Sequence, residues 1–326
     1  MGGRRQRALA VAAAVLCLAL ALAAPFVVGR YTLRFLTSTL MFAGFAVSWN
    51  ILGGLTGYFS FGHSVFFGIG AYAVAIGMVK AGLPFWVSLV ASGLAAALFA
   101  VAIGLPVLRL RGHYFALVTL GIGEVVRGVV SNLTKLTGGG GGLSLPIFPG
   151  GVDTIYRAFY FMMLGTLLAS LLVVYGLLHS RIGYGLVAIR EDEDAAQMIG
   201  ISTTAHKVLA FALSAMFFGV FGGIYAYWLT YIEPADVFDI KISVLSIIMT
   251  LLGGLGTLVG PLLGTICFQL LSEFLWNRLL EFHTAFLGAL MIVIVLVFPR
   301  GFIDAARGGV RGAFRRTVAN VRQFAE

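Results

Sequence analysis

SRIGYGLVAIREDEDAAQMIGISTTAHKVLAF, Ser180 to Phe211, is the one long polar interruption in a chain that is otherwise almost continuously apolar. Four consecutive acids, Glu191 to Asp194, follow directly on Arg190. Ile182, Leu186, Ile189, Ala196 and Ile199 recur at spacings that share one helical face, and Arg190, Glu191, Asp192 and Asp194 fall away from it. Gly200 then stands where a C-terminal glycine ends a helix. The spacing predicts one amphipathic helix closing just before Gly200. Two readings fit these residues alone: a solvated loop between membrane spans, or a short helix that docks in a groove on a soluble partner.

Outward from this stretch, composition sets the class. Of 326 residues, 60% are hydrophobic and 11% charged, far from the roughly 25% charged content of soluble domains. With a mean hydropathy of +1.00, the chain is an integral membrane protein, and the expected fold class is all-α. Apolar runs near the 20 residues that a crossing needs stand at roughly 9–28, 33–53, 63–80, 84–108, 113–132, 155–178, 206–231, 242–259, 260–277 and 284–299. That is about ten spans, with eight as the alternative count.

Arginine placement orients them. Arg4, Arg5 and Arg7, then Arg109 and Arg111, Arg181 and Arg190, and the tail from Arg300 to Arg322 all fall on one side of a ten-span arrangement, whereas Arg30, Lys80, Lys135 and Lys241 lie singly on the other. The positive-inside bias makes the first side cytoplasmic, with both termini there. It also accounts for the net charge of +9 without nucleic acid. The chain reads as a single transmembrane domain over 1–326, with a cytoplasmic segment at 181–206 and a basic tail at 304–326. The tail fits an amphipathic segment on an anionic leaflet and a disordered extension equally. Arg4 to Pro25 has the pattern of a signal peptide, but the length of Leu9 to Val28 favours an uncleaved first span.

Little here points to catalysis. Cys17 and Cys267 lie far apart in apolar runs, which argues against a disulfide or a metal site. No carboxylate pair, Ser/His/Asp order or ligand cluster stands out, so no catalytic residue is expected. The glycine run Gly138 to Gly142 is no phosphate loop, because none of Lys80, Lys135, Lys207 and Lys241 is followed by Ser or Thr. No ATPase and no cofactor is expected on this chain. The run reads as a flexible outer loop, or as a surface that yields when a solute-delivering protein docks.

Two apolar segments break at glycines: Ile51-Leu52-Gly53-Gly54-Leu55 is echoed by Leu251-Leu252-Gly253-Gly254-Leu255. Interrupted helices in two halves are what a transporter built from repeats would show, although four identities also arise by chance. Around the first break stand Asn50, Thr56, Ser60 and His63, candidates for a translocation path or for close helix packing. Glu124 and Arg127 are helical neighbours inside an apolar run, either as a structural ion pair or with Glu124 lining the path and meeting a solute ammonium.

The stretch Arg181-Ile182-Gly183, Ala188-Ile189-Arg190-Glu191, Glu193, Ala195-Ala196, Gly200-Ile201 resembles the coupling loop of LivM-like permeases of branched-chain amino-acid ABC importers. The resemblance extends to WNILGGLTGYFSFGHSVFFGIGAY (49–72), LRLRGHYFALVTLGIGE (108–124), LTGGGGGL (136–143), LGGLGTLVGPLLG (252–264) and FPRG (298–301), nearly the whole chain. It implies a pore subunit in a bacterial inner membrane. It also implies a second homologous permease, two cytoplasmic ABC ATPase subunits carrying ATP and Mg, and a periplasmic or surface-tethered solute-binding protein. Arg190, Glu191, Glu193, Ala196 and Gly200 would then make the contact to the ATPase. The alternative that the residues leave open is an ion-gradient-driven secondary transporter or channel, with Glu124 and His63 as proton carriers.

Overall fold

A computed structural model describes residues 2–278 and Gly288. The span expected at 284–299, the FPRG motif and the basic tail fall outside the described residues, as do the side chains of Arg4, Arg5 and Arg7. In chain order the helices are α1 (Gly2–Val27), α2 (Arg30–Thr56), α3 (His63–Val79), α4 (Phe85–Val107), α5 (His113–Asn132), α6 (Thr134–Thr137), α7 (Val152–Leu178), α8 (Arg181–Glu191), α9 (Glu193–Met198), α10 (Thr203–Leu229), α11 (Pro234–Val237), α12 (Ile240–Gly253) and α13 (Gly260–Arg278). Two short strands, β1 (Leu143–Ser144) and β2 (Tyr231–Ile232), pair antiparallel. The chain is an all-α membrane protein in which α2, α4, α5, α7 and α10 are long and apolar enough to cross a bilayer.

Contacts at the helix ends give the directions. Arg30 bridges to Asp153 at 2.7 Å, joining the starts of α2 and α7, and Arg190, at the end of the α8 that follows α7, donates to the Gly54 carbonyl near the end of α2 at 3.0 Å. Those two helices therefore run in parallel. α10 runs the other way: Lys207 in its first turn donates to Tyr58, just past α2, and the Leu145 N–H bonds to Thr230 at its far end. The centre of the bundle is aromatic. Phe45 stacks on Phe218 at 5.0 Å and meets Phe67 and Phe221 edge-on, arrangements that suit the ring quadrupoles. Leu98, Leu117 and Leu172 are exposed on α4, α5 and α7, a surface suited to lipid.

Two expectations change. The run at 242–259 is not one span: α12 stops at Gly253 after 14 residues, about 21 Å at 1.5 Å per residue, against a hydrocarbon core of about 30 Å. Gly254 and Gly256 have φ of 121° and 70°, which turns the chain back into α13. The second change concerns Gly138 to Gly142. Gly138, Gly139 and Gly142 have positive φ, and a Cβ on Gly142 would lie 2.1 Å from the Ile232 carbonyl. Gly138, Gly139 and Gly142 are thus close-packed beside the β1–β2 pairing, whereas Gly140 and Gly141 stand open with nothing within 4 Å.

Between lipid-embedded helices, close approach replaces the hydrophobic effect as the source of cohesion. A Cβ on Gly70 of α3 would sit 2.0 Å from the Gly219 carbonyl of α10, and one on Gly222 of α10 would sit 2.0 Å from the Phe67 carbonyl of α3. The clashing atoms are backbone and cannot move aside. Gly222→Ala should therefore lower the thermal midpoint in detergent by the equivalent of about 1–3 kcal/mol. Gly128→Ala on α5, where nothing lies within 4 Å, should leave it unchanged or raise it, since alanine favours a helix by up to about 1 kcal/mol.

Candidate functional site

The polar stretch folds as two helices. Ser180 caps α8, its hydroxyl accepting from the Gly183 N–H at 3.1 Å, and Leu186 and Ile189 are buried. The single helix expected here breaks at Asp192, which adopts an extended φ of −158°. Its carboxylate accepts from the Asp194 and Ala195 N–H groups at 2.9 and 3.0 Å. An aspartate at an N-cap satisfies donors that a continuous helix would have used internally, and acids that would have lain in the middle of one long helix, Asp192, Glu193 and Asp194, stand instead at the N-terminus of a new one, where its dipole favours them. Gly200 does end α9, with φ of +88° and the Ile201 N–H returning to the Ala196 carbonyl.

Glu193 anchors this pair of helices to the bundle. Its carboxylate accepts from Lys207 Nζ at 2.6 Å and from the Tyr58 hydroxyl at 2.5 Å. Lys207 also donates to the Leu108 carbonyl at 2.8 Å and to the Tyr58 oxygen at 2.9 Å, so all three ammonium donors are used. The Lys207 side chain is 4% exposed and that of Glu193 13%. Burial pushes the Glu193 carboxyl up, but the bonds from Lys207 and Tyr58 outweigh it and hold the group below its usual range. Burial, together with the bond to Glu193, drives the Tyr58 hydroxyl well above its ordinary value. Arg111 closes the cluster, bidentate to Asp194 at 2.7 and 2.9 Å and 3.6 Å from Glu193.

Arg190 makes the second attachment. Beyond its bond to the Gly54 carbonyl, it passes Gly57, where a Cβ would lie 3.2 Å from its Cγ, and Gly256, where a Cβ would lie 2.5 Å from its Nη1. Asn50 ties the same region together. Its amide donates to the Thr257 carbonyl at 2.9 Å, and its carbonyl accepts from the Gly256 N–H at 2.8 Å. The two glycine motifs noted in the sequence thus meet at one point, joined by Asn50 and touched by Arg190, but only the second interrupts its helix: α2 continues through Gly53 and Gly54 to Thr56, whereas α12 stops at Gly253.

The residues singled out for the ATPase contact divide accordingly. Arg190, Glu193 and Ala196 turn toward the bundle, whereas Glu191 and Gly200 face outward. Outermost are Met198 at 88% and Ile199 at 75% exposure, with Tyr184 also exposed. Sequence spacing did not single out Met198, Tyr58, Lys207 or Arg111. The available signal was Lys207 itself, an ammonium five residues into an apolar helix. Of the path candidates, Asn50, Thr56, Ser60 and His63 are buried. The Ser60 carbonyl accepts from Trp49 at 2.9 Å, Thr56 bonds to Leu52 within α2, and His63 Nε2 meets Ser214 at 2.8 Å. Glu124 lies apart from them, its side chain 58% exposed and 3.6 Å from Arg127.

Comparison with known proteins agrees with this architecture. The profile of the family described as branched-chain amino acid transport system / permease component matches residues 31–295. The high-affinity branched-chain amino acid transport system permease protein LivM of Escherichia coli is 34% identical over 319 residues, covering 90% of this chain and 75% of that one. A probable LivM of Methanocaldococcus jannaschii is 24% identical over 214 residues, covering 61% and 62%. The permease protein LivH of Salmonella typhi is 24% identical over 288 residues, covering 80% and 91%. No solved structure matches.

The buried pair sets an expected outcome for stability. Glu193→Gln or Lys207→Met should each cost about 3 kcal/mol, because the remaining partner is left enclosed and uncompensated, and the double variant should cost less than the sum. Asp194→Asn, at the surface, should leave the midpoint close to wild type. Because the folded Glu193 carboxyl lies below its usual value of 4.5, the contribution of the pair is complete above that pH and fades as pH falls through the lower folded value. Melting curves across this acid range should fall more steeply for wild type than for the double variant.

Proposed function

We propose, from the premise that the chain belongs to the branched-chain amino acid transport system permease family, that α8 and α9 are the part of this ABC-importer pore subunit through which ATP hydrolysis on other subunits drives transport. The observation that carries this reading is an exposed apolar tip, Met198 and Ile199, held on a base fastened at two points, Glu193 to Lys207 and Arg190 to Gly54. A partner that presses on the tip moves α10 and α2 with it. Glu191, Met198, Ile199 and Gly200 make the contact in this reading. Arg190, Glu193 and Ala196 transmit it.

The finer parts of the assembly follow as proposals. The chain pairs with a second homologous permease, a pairing made natural by its own 24% identity to a LivH. Two cytoplasmic ABC ATPases, which hold ATP and Mg, meet the α8–α9 side, and a periplasmic or surface-tethered binding protein delivers a branched-chain amino acid or related small solute to the other. The chain itself needs no cofactor and binds no nucleic acid. Its domain runs over 1–326 with eight to ten crossings of a bacterial inner membrane, both termini and the 304–326 tail in the cytoplasm. The meeting of the two glycine motifs at Asn50 supports an internal repeat. Alternating access is then a tilt of one helix group against another. An ion-gradient mechanism has less support, since Glu124 is exposed and paired with Arg127 while His63 is buried against Ser214, so the two do not form one relay.

Met198→Lys combined with Ile199→Glu should reduce uptake of labelled branched-chain amino acid about tenfold or more, as removal of a central apolar anchor does. Membrane level and melting temperature should stay at wild-type values, and the co-purifying ATPase should be lost. Uptake at the wild-type rate would overturn the contact assigned to α9.

A further inference from the structure

At the end of the bundle opposite Lys207, α2, α7 and α10 border a half-open cavity of about 520 Å³ lined by Arg34, Ser38, Met41, Phe42, Tyr156 and Trp228, among others. A second recess, about 270 Å³, opens between α2 and α13 and shares Arg34 and Ser38 with the first. Neither cavity is touched by the path candidates around Gly53 and Gly54. The larger volume is in the range of small-molecule sites, as is its make-up of mostly apolar walls with a few convergent polar groups.

Arg34 is the group that gives this space a chemistry. It lies one turn into α2, and Ser38, one further turn on, shares its face, followed by Met41 and Phe42. The neighbouring cations are engaged: Arg30 bridges to Asp153 at 2.7 Å, and Arg157 donates to the Pro25 carbonyl at 3.2 Å and stands over the Phe26 ring. Arg34 pairs with no acid among the described residues, although it borders two cavities. A guanidinium so placed, beside apolar walls, presents a planar fork of donors that fits a carboxylate with two parallel bonds. Across the smaller recess stands Glu273, which accepts the Tyr31 hydroxyl, so both signs of a zwitterion are represented around one space.

We propose that these adjoining cavities bind a small solute carrying a carboxylate and an apolar side chain, with Arg34 holding the carboxylate and Met41, Phe42 and Trp228 packing the side chain. Glu273 lies on the ammonium side. This rests on the reading of the chain as a pore subunit for branched-chain amino acids and gives that reading an outward-facing site. Arg34 was not among the candidates that the sequence suggested, because one arginine near a span edge looks the same whether it anchors the helix or binds a solute.

The test uses the full chain in lipid nanodiscs, with L-leucine and leucinol as probes, the second having a hydroxymethyl in place of the carboxylate. L-leucine should raise the melting temperature of wild type and leucinol should not. Arg34→Gln should abolish the leucine shift, and Arg34→Lys should keep part of it. Ser38→Leu, which fills the wall common to both cavities, should abolish the shift with Arg34 in place and so serves if Arg34→Gln fails to fold. No leucine shift in wild type, an equal shift by leucinol, or an undiminished shift in folded Arg34→Gln would each overturn the site. Uptake of labelled leucine in native cells lacking their own copy separates this from the importer reading. If wild type restores uptake and Arg34→Gln restores it equally, the site is wrong and the importer stands; if wild type binds leucine but restores no uptake, the importer reading is wrong and the site stands. The expected result is restoration by wild type and a loss of about tenfold or more with Arg34→Gln, the scale of one charge-assisted contact.

Discussion

The contact between Glu193 and Lys207 is the constraint on which the α8–α9 end of the fold depends. Removing two charges from water is costly unless each finds partners for all its bonding capacity. Here Tyr58, from the link after α2, and the Leu108 carbonyl, from the end of α4, supply what the pair cannot. Four separate parts of the chain are thereby required at one point. Once they meet, α8 and α9 have no freedom to swing as an ordinary loop, and the break at Asp192 becomes the bend that lets Glu193 reach inward while Met198 reaches out.

How much of this could be read in advance depended on range. Helices over 33–53, 84–108, 113–132, 155–178 and 206–231 were legible because a bilayer demands long apolar runs, and such runs are local patterns. The turn after α12 was not, since 242–259 stays apolar through Gly253, Gly254 and Gly256, and only positive φ at two of those glycines reveals that the chain doubles back. The acids of 191–194 were legible as a site but not as individuals. Which of them turns inward is decided by a lysine that lies 14 residues further on, beyond any helical period. The glycine echo was visible as a likeness of letters. That Asn50 would join its two copies is a fact of three-dimensional proximity that no spacing rule contains.

Glycine serves three distinct ends in this chain. At Gly70 and Gly222 it lets backbones of α3 and α10 approach, and at Gly219 those of α10 and α4; at Gly142 it lets β2 lie against a turn; at Gly57 and Gly256 it makes room for Arg190. The first is general to helices in lipid. The last is particular, because a side chain at either position would displace the guanidinium from the Gly54 carbonyl.

α2 and α10, each 27 residues long, reach from the Lys207 cluster at one end to the Arg34 cavity at the other. Each is a rod of about 40 Å. A rigid rod that pivots near its middle by about 5° carries each tip some 2 Å sideways, in opposite senses, given half-lengths of about 20 Å. That displacement is comparable to the difference between a formed and a broken hydrogen bond. On the reading proposed for α9 and Arg34, no relay of intermediate side chains is then required: leverage alone would convert a push on α9 into a change in the grip of Arg34 on a bound solute.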